Sequence, residues 1–310
     1  MVSPLTKLVS ALLVALVAAP VAAQGLADTQ PVQVFKASAD VVTIQASVKD
    51  RRGRVLSGLT PQDFEIRDNG EIRQIVSLRA DRDSPLSLAV LVDMSGSMRS
   101  DAKIALARQA YDSILTQLRQ GQDEAAVFIF DSKLHQRTPF TSDLTTLKTA
   151  LEDFDPFGTT SLYDATATAA RKLASRTGTH KAILLLTDGL DTSSAMTASE
   201  VSSIASSIDV PVFIVATVPS VDERLMQETS DRPHAQAADL RDLSDWTGGK
   251  FVFASTIVET ITTASKLVEE LRQQYVLAIE AAPFGRRRRL DVRVKRAAAK
   301  VKARSGYFGG

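Results

Sequence analysis

Leu86-Ser87-Leu88-Ala89-Val90-Leu91-Val92-Asp93-Met94-Ser95-Gly96-Ser97 is the stretch on which the fold turns. Its first seven residues are almost continuously apolar, the pattern of a strand covered on both faces, as in a parallel sheet. The run ends in a carboxylate, a glycine and two hydroxyls, and helical spacing begins at about Asp101. Ligands of open α/β sheets bind at the C-terminal ends of strands, where this sequence delivers Asp93, Ser95 and Ser97. All three side chains offer oxygen, which suits a hard divalent cation such as Mg²⁺ or Mn²⁺.

Reading outward, further apolar runs occupy 125–130, 182–186, 210–218 and 251–254. Amphipathic stretches lie between them, marked by Ile104, Ala107, Ile114 and Leu118, by Leu162, Ala165, Ala169 and Leu173, by Val201 and Ile208, and by Ile257, Ile261, Ala264 and Leu271. Strand alternating with helix predicts a doubly wound, mostly parallel α/β domain over 85–273. Residues 135–140 add an edge strand, and Thr141-Ser142-Asp143 caps a brief helix carrying Leu144, Leu147 and Leu151.

The flanks read differently. Residues 32–35 and 41–48 alternate as strands, Asp68-Asn69-Gly70 is a hairpin turn, and 71–78 is its returning strand. Strand texture returns at 275–280 and 290–295, with Arg286–Arg289 as a solvated basic turn between them and short pieces near Val301 and Tyr307. So few strands cannot stand alone. The expected architecture is therefore a small antiparallel, β-sandwich-like domain, built from 24–84 and 274–310, with the α/β domain inserted in it.

Lys7 followed by an apolar core and Val21-Ala22-Ala23 reads as a signal peptide over 1–23, so the protein is expected to be exported, periplasmic or secreted. No transmembrane segment is expected after cleavage, which removes Lys7 and leaves a chain of formal charge +1 neutral. No global field then favours nucleic acid. The chain has no cysteine, which excludes disulfides, thiol catalysis, thiolate metal sites and a cysteine-linked lipid.

Two later segments complement Asp93. Phe157-Gly158-Thr159-Thr160-Ser161-Leu162 precedes a helix and offers the hydroxyl of Thr159 or Thr160; Leu185-Leu186-Thr187-Asp188-Gly189 ends a buried strand and offers Asp188. Two carboxylates with neutral oxygens suit one divalent ion.

Asp93-Met94-Ser95-Gly96-Ser97, the threonine before Leu162-Tyr163-Asp164, and Thr187-Asp188-Gly189 together resemble the metal-ion-dependent adhesion site of von Willebrand factor type A domains. The resemblance implies that Asp93, Ser95, Ser97, Thr160 and Asp188 hold one Mg²⁺ or Mn²⁺, with Thr160 preferred over Thr159. It implies direct or water-mediated contacts from Ser95, Ser97 and Thr160, and charge from Asp93 and Asp188. It also implies an open position filled by a carboxylate of a protein ligand with an exposed Asp or Glu. Met98, Arg99, Gly158, Asp191, Asp222 and Arg224 are the expected partner contacts. Gly58-Leu59-Thr60 with Asp63-Phe64, the Asp68-Asn69-Gly70 turn and Arg304-Ser305-Gly306-Tyr307 further resemble bacterial secreted von Willebrand factor A-related proteins.

Two other readings compete with a cation-dependent binding module: a structural envelope protein with a stabilising metal, and a metal-assisted hydrolase using Asp93. The hydrolase needs a base, and His135, His180 and His234 lie in unrelated segments and read as surface or turn residues, with no lysine motif beside Asp93. No P-loop, dinucleotide fingerprint or Gly-x-Ser-x-Gly elbow occurs. The chain is expected not to be an enzyme. The polar connection 219–240 is expected to shape partner choice, and Trp246 to pack against the last strand.

Overall fold

The computed structural model describes residues 41–80, 83–152, 155–177, 180–188, 191–217, 231–281 and 287–308, all within one unit, Ala39–Gly310. The signal peptide, the strand at 32–35, Asp222 and Arg224 lie outside these residues.

Four strands come first: β1 (Val41–Lys49), β2 (Phe64–Asp68), β3 (Glu71–Arg73) and β4 (Ile75–Arg79). The alternating section follows with β5 (Leu86–Asp93), α1 (Asp101–Thr116), β6 (Glu124–Phe130), β7 (Leu134–Thr141), α2 (Leu144–Lys148) and α3 (Leu162–Ala174). It continues with β8 (His180–Thr187), α4 (Ala198–Ser207), β9 (Val212–Thr217), α5 (Asp231–Thr247), β10 (Phe251–Ala254) and α6 (Ile257–Arg272). Last come β11 (Tyr275–Glu280), β12 (Arg287–Val294), β13 (Lys300–Ala303) and β14 (Gly306–Phe308).

The central sheet runs β10-β9-β8-β5-β6-β7, parallel throughout except for β7 at its edge. Every residue of β5 is buried. Leu88, Val90 and Val92 pack on the face covered by α1 and α6, while Ala89 and Leu91 face α3, α4 and α5. Burial on both faces is why the run shows no alternation. Truncating a side chain such as Leu91 there would cost about 2–5 kcal/mol. The chain leaves β5 toward β6 and later returns on the other side at β8. The sheet therefore switches direction between β5 and β8, and connections diverging at such a point open a crevice.

The remaining strands form two antiparallel four-stranded sheets, β13-β1-β11-β4 and β14-β12-β2-β3. Early strands pair with late ones, β1 with β11 and β2 with β12. Both sheets contribute to one core, including Ile44, Phe64, Ile66, Leu277, Ile279, Leu290 and Tyr307. The α/β section is thus inserted between β4 and β11, as expected. Arg304, buried, ties the two parts together through Asp209 (2.7 Å) and the Ser206 carbonyl (2.8 Å). Lys49 to Glu270 (2.7 Å) is a second tie.

Four expectations are corrected. The strand at 71–78 divides near Gln74, because β3 continues the hairpin with β2 while β4 crosses to pair with β11. The basic run is not a solvated turn over its described part: Arg287–Arg289 lie in β12. There Arg288 Nε donates to both oxygens of buried Asp68 (2.7 and 2.9 Å), which also accepts from the Tyr307 hydroxyl (2.8 Å). The Arg287 guanidinium lies over Trp246 at 3.7 Å, and the indole abuts Gly306 at the start of β14, as expected for a packing residue. Residues 231–240 are helical rather than a connecting loop. Among the residues of α5 with described burial, only Leu240 and Leu243 join the hydrophobic core, a stripe too thin to show as periodicity. Finally, His180 is buried at the start of β8, its Nδ1 3.3 Å from the Leu271 carbonyl. Among the described residues no helix is long and apolar enough to cross a membrane.

Candidate metal centre

The parallel register sets Val92 beside Leu186, so Asp93 and Asp188 emerge from adjacent strands at the crevice between β5 and β8. The loop after β5 turns at once. The Ser95 N–H donates to Asp93 Oδ1 (2.9 Å), and a 3₁₀ turn over Gly96–Arg99 follows. This turn leaves the Ser95 and Ser97 hydroxyls 2.9 Å apart.

The second loop is stitched onto the first. Gly96 N–H donates to the Gly158 carbonyl (2.9 Å) and Phe157 N–H to that of Met94 (2.9 Å). A side chain on Gly96 would bring Cβ within 3.1 Å of the Gly158 oxygen, and Gly158 itself has φ +82°, which explains both glycines. Thr160 is held by its backbone: its N–H donates to Thr192 Oγ1 (2.9 Å) and its carbonyl accepts from Thr192 (2.9 Å) and Ser193 (3.0 Å). Asp164 anchors the same segment by accepting from the Ala195 and Met196 N–H groups, both at 3.0 Å.

Asp93, Ser95, Thr160 and Asp188 are buried, whereas Ser97 and Thr159 are exposed. Thr187 Oγ1 donates to Asp93 Oδ2 at 2.6 Å. Burial foremost, and then the charge of Asp188, push the Asp93 carboxyl up to about 7 against hydrogen bonds from Thr187 and Ser95. Asp188 Oδ2 accepts from Lys103 Nζ (3.2 Å), but its Oδ1 is buried with no hydrogen-bond partner. A buried carboxylate oxygen left unpaired is costly. The donor set thus fits a divalent cation: two buried carboxylates opposing each other, an orphaned oxygen and hydroxyls alongside. Among the described residues no group of three or more His, Cys, Asp or Glu side chains gathers, so any ion here rests on two carboxylates plus hydroxyls.

Of the expected partner contacts, Arg99 and Gly158 are exposed. Met98 is a correction: the 3₁₀ turn folds it fully into the core beside α1. Asp191 is half-buried and accepts from the Tyr163 N–H (3.2 Å) and the Ser194 hydroxyl (2.6 Å), so its carboxylate braces the start of α3. A lysine that no local motif marks also reaches the site, because the first turn of α1 brings Lys103 to Asp188. Thr187, which orients Asp93, and Phe157, 70% exposed at the rim, are the other neighbours that pattern reading missed. Both stand in quoted motifs, but neither type signals a ligand.

Residues 88–191 match the von Willebrand factor type A domain, a span that contains all five candidate ligands. The chain therefore carries a domain of that type. A von Willebrand factor type A protein from Catenulispora acidiphila is similar in structure, with TM-score 0.51 and 13% identity, over 88% of this chain and 76% of that one. The conserved hypothetical protein BatB from Bacteroides thetaiotaomicron gives TM-score 0.48 and 18% identity over 60% of this chain and 98% of that one. The PilB minor pilin from Streptococcus sanguinis gives 0.45 and 15%, over 61% and 62%. No curated protein matches the chain.

Proposed function

We propose that this protein is an exported, divalent-cation-dependent protein-binding module of the cell envelope or secreted space. The observation that carries the reading is the pair Asp93 and Asp188, buried at one crevice with Asp188 Oδ1 lacking any partner. Ser95, Ser97, Thr160, Asp93 and Asp188 would hold one Mg²⁺ or Mn²⁺. The burial of Thr160 and exposure of Thr159 support Thr160 as the threonine ligand. When bound, the ion supplies a positive centre with a coordination position open to a carboxylate.

The residues around it prepare that contact. Thr187 and the Ser95 N–H fix both oxygens of Asp93. The hydrogen bonds joining 94–96 to 157–158 keep the two ligand loops at one spacing. Exposed Arg99 adds positive charge at the rim, and exposed Phe157 adds apolar area. Such a surface suits an acidic side chain flanked by apolar ones on a protein partner.

A binding role is favoured over hydrolysis by where the histidines sit and by the pairing of Lys103 with Asp188 as an ionic partner. His180 is buried at the opposite end of β8 from Asp188. His135 stands two strands from Asp93 and faces Asp131 at 3.7 Å. Capture of envelope or secreted proteins by the immobilised protein tests the proposal. Proteins retained in Mg²⁺, released by chelator and not retained by Asp93→Ala support it. Capture indifferent to both chelator and the substitution rejects it.

A further inference from the structure

Lys103 is a long cationic side chain where a cation centre has been proposed. Its Nζ lies 3.2 Å from Asp188 Oδ2 and 3.2 Å from the carbonyl of Ser97, so it touches two members of the ligand set. Its side chain is only 11% exposed and that of Asp188 is fully buried. Lysine is rarely buried to this degree without an ionic partner. The geometry has a local cause: α1 starts at Asp101, and its first turn aims position 103 back over the loop that holds Ser95 and Ser97.

We propose that Lys103 is a tethered internal cation that holds Asp188 Oδ2 and competes with a divalent ion for that carboxylate. This rests on the metal-centre reading above and sets the affinity and selectivity of that same centre. An ammonium and a metal ion both seek the oxygens of Asp188, and two positive charges within a few ångströms in a poorly solvated crevice repel strongly. A monovalent ion gains no more Coulomb energy from Asp188 than the ammonium already does. A divalent ion gains about twice as much. Lys103 therefore excludes monovalent cations, weakens divalent binding, and neutralises part of the buried acidic charge.

The test is calorimetric titration of Mg²⁺ into chelator-stripped protein carrying Lys103→Met, Lys103→Gln or Lys103→Arg, beside wild type. Losing one charge-assisted contact to Asp188 should tighten Mg²⁺ binding by about tenfold in Lys103→Met and Lys103→Gln. Lys103→Arg, which keeps the charge, should bind like wild type. The rise in melting temperature on adding Mg²⁺ should also be larger in the two neutral variants. Lys103→Gln keeps a polar side chain, so the result stands even where Lys103→Met folds poorly. Equal or weaker binding in the neutral variants overturns the inference while leaving the metal centre intact, and so does tightening in Lys103→Arg. Absence of Mg²⁺ binding in every form overturns both.

Discussion

Asp93→Asn is expected to stabilise the metal-free protein at mildly alkaline pH, against the usual rule that changing a buried polar residue destabilises. Burial, and then the neighbouring Asp188, raise the Asp93 carboxyl from 3.8 to about 7. Between those two values the folded state holds a proton that the unfolded chain has released. Stability is therefore greatest below the lower value, falls as pH rises, and has lost its full amount above the upper one. The difference corresponds to about 4 kcal/mol. Asparagine carries no charge to bury. Its oxygen can keep the Thr187 hydroxyl, but its amide then faces the Ser95 N–H, which had donated at 2.9 Å. That unmet donor costs about 1–2 kcal/mol. The net gain at about pH 8 is then roughly 2–3 kcal/mol. Near pH 4 the order reverses, because wild-type Asp93 is largely neutral there and keeps both bonds. Urea unfolding in chelator, followed by circular dichroism and by the fluorescence of Trp246, reads both quantities. A substituted protein less stable than wild type at alkaline pH refutes the reasoning, since the buried charge would then not oppose folding.

Two further outcomes are expected. Asp123 is buried and accepts from the Leu86 N–H (3.0 Å), the Arg119 N–H (2.6 Å) and the Arg272 guanidinium. Burial alone would raise its carboxyl, but these bonds outweigh it and hold it at about 2. Asp123→Ala should therefore cost about 3–5 kcal/mol in urea unfolding at neutral pH, where two arginines lose their shared partner. Its folded value is depressed, so this stabilisation is present above the unfolded value and is lost as pH falls toward about 2. At the candidate centre, Thr160→Val should weaken Mg²⁺ binding by about tenfold or more, in line with one lost oxygen contact, while Thr159→Val leaves it unchanged. The two titrations with reversed outcomes would move the ligand to Thr159.

The central sheet was legible because β5, β6 and β8 are buried on both faces and so wrote unbroken apolar runs into the chain. The insertion was legible because strand texture stopped and resumed on either side of it. The candidates Asp93, Ser95 and Asp188 stand out because strand ends carry their own local pattern, and Thr160 because it lies in a Gly-Thr-Thr-Ser segment just before a helix. What stayed hidden depends on partners far away in the chain. Lys103 meets Asp188 across 85 residues, and Arg288 meets Asp68 across 220. Nothing at either position marks the pairing, so the sequence gives the lysine no signal and makes the strand look like a solvated turn. The division near Gln74 was hidden for a similar reason: sheet membership depends on which strand lies alongside, and β11 arrives two hundred residues later. Met98 shows the limit of motif reading, since a position next to the candidate ligand Ser97 still turns into the core when the loop is a 3₁₀ turn.

The most direct test of the metal-dependent account is titration calorimetry of Mg²⁺ and Mn²⁺ into chelator-stripped wild type, Asp93→Ala and Asp188→Ala. One ion per chain in wild type, and none in either variant while both remain folded, is the expected result. No heat of binding in wild type, or equal binding in all three, would contradict the account at its base.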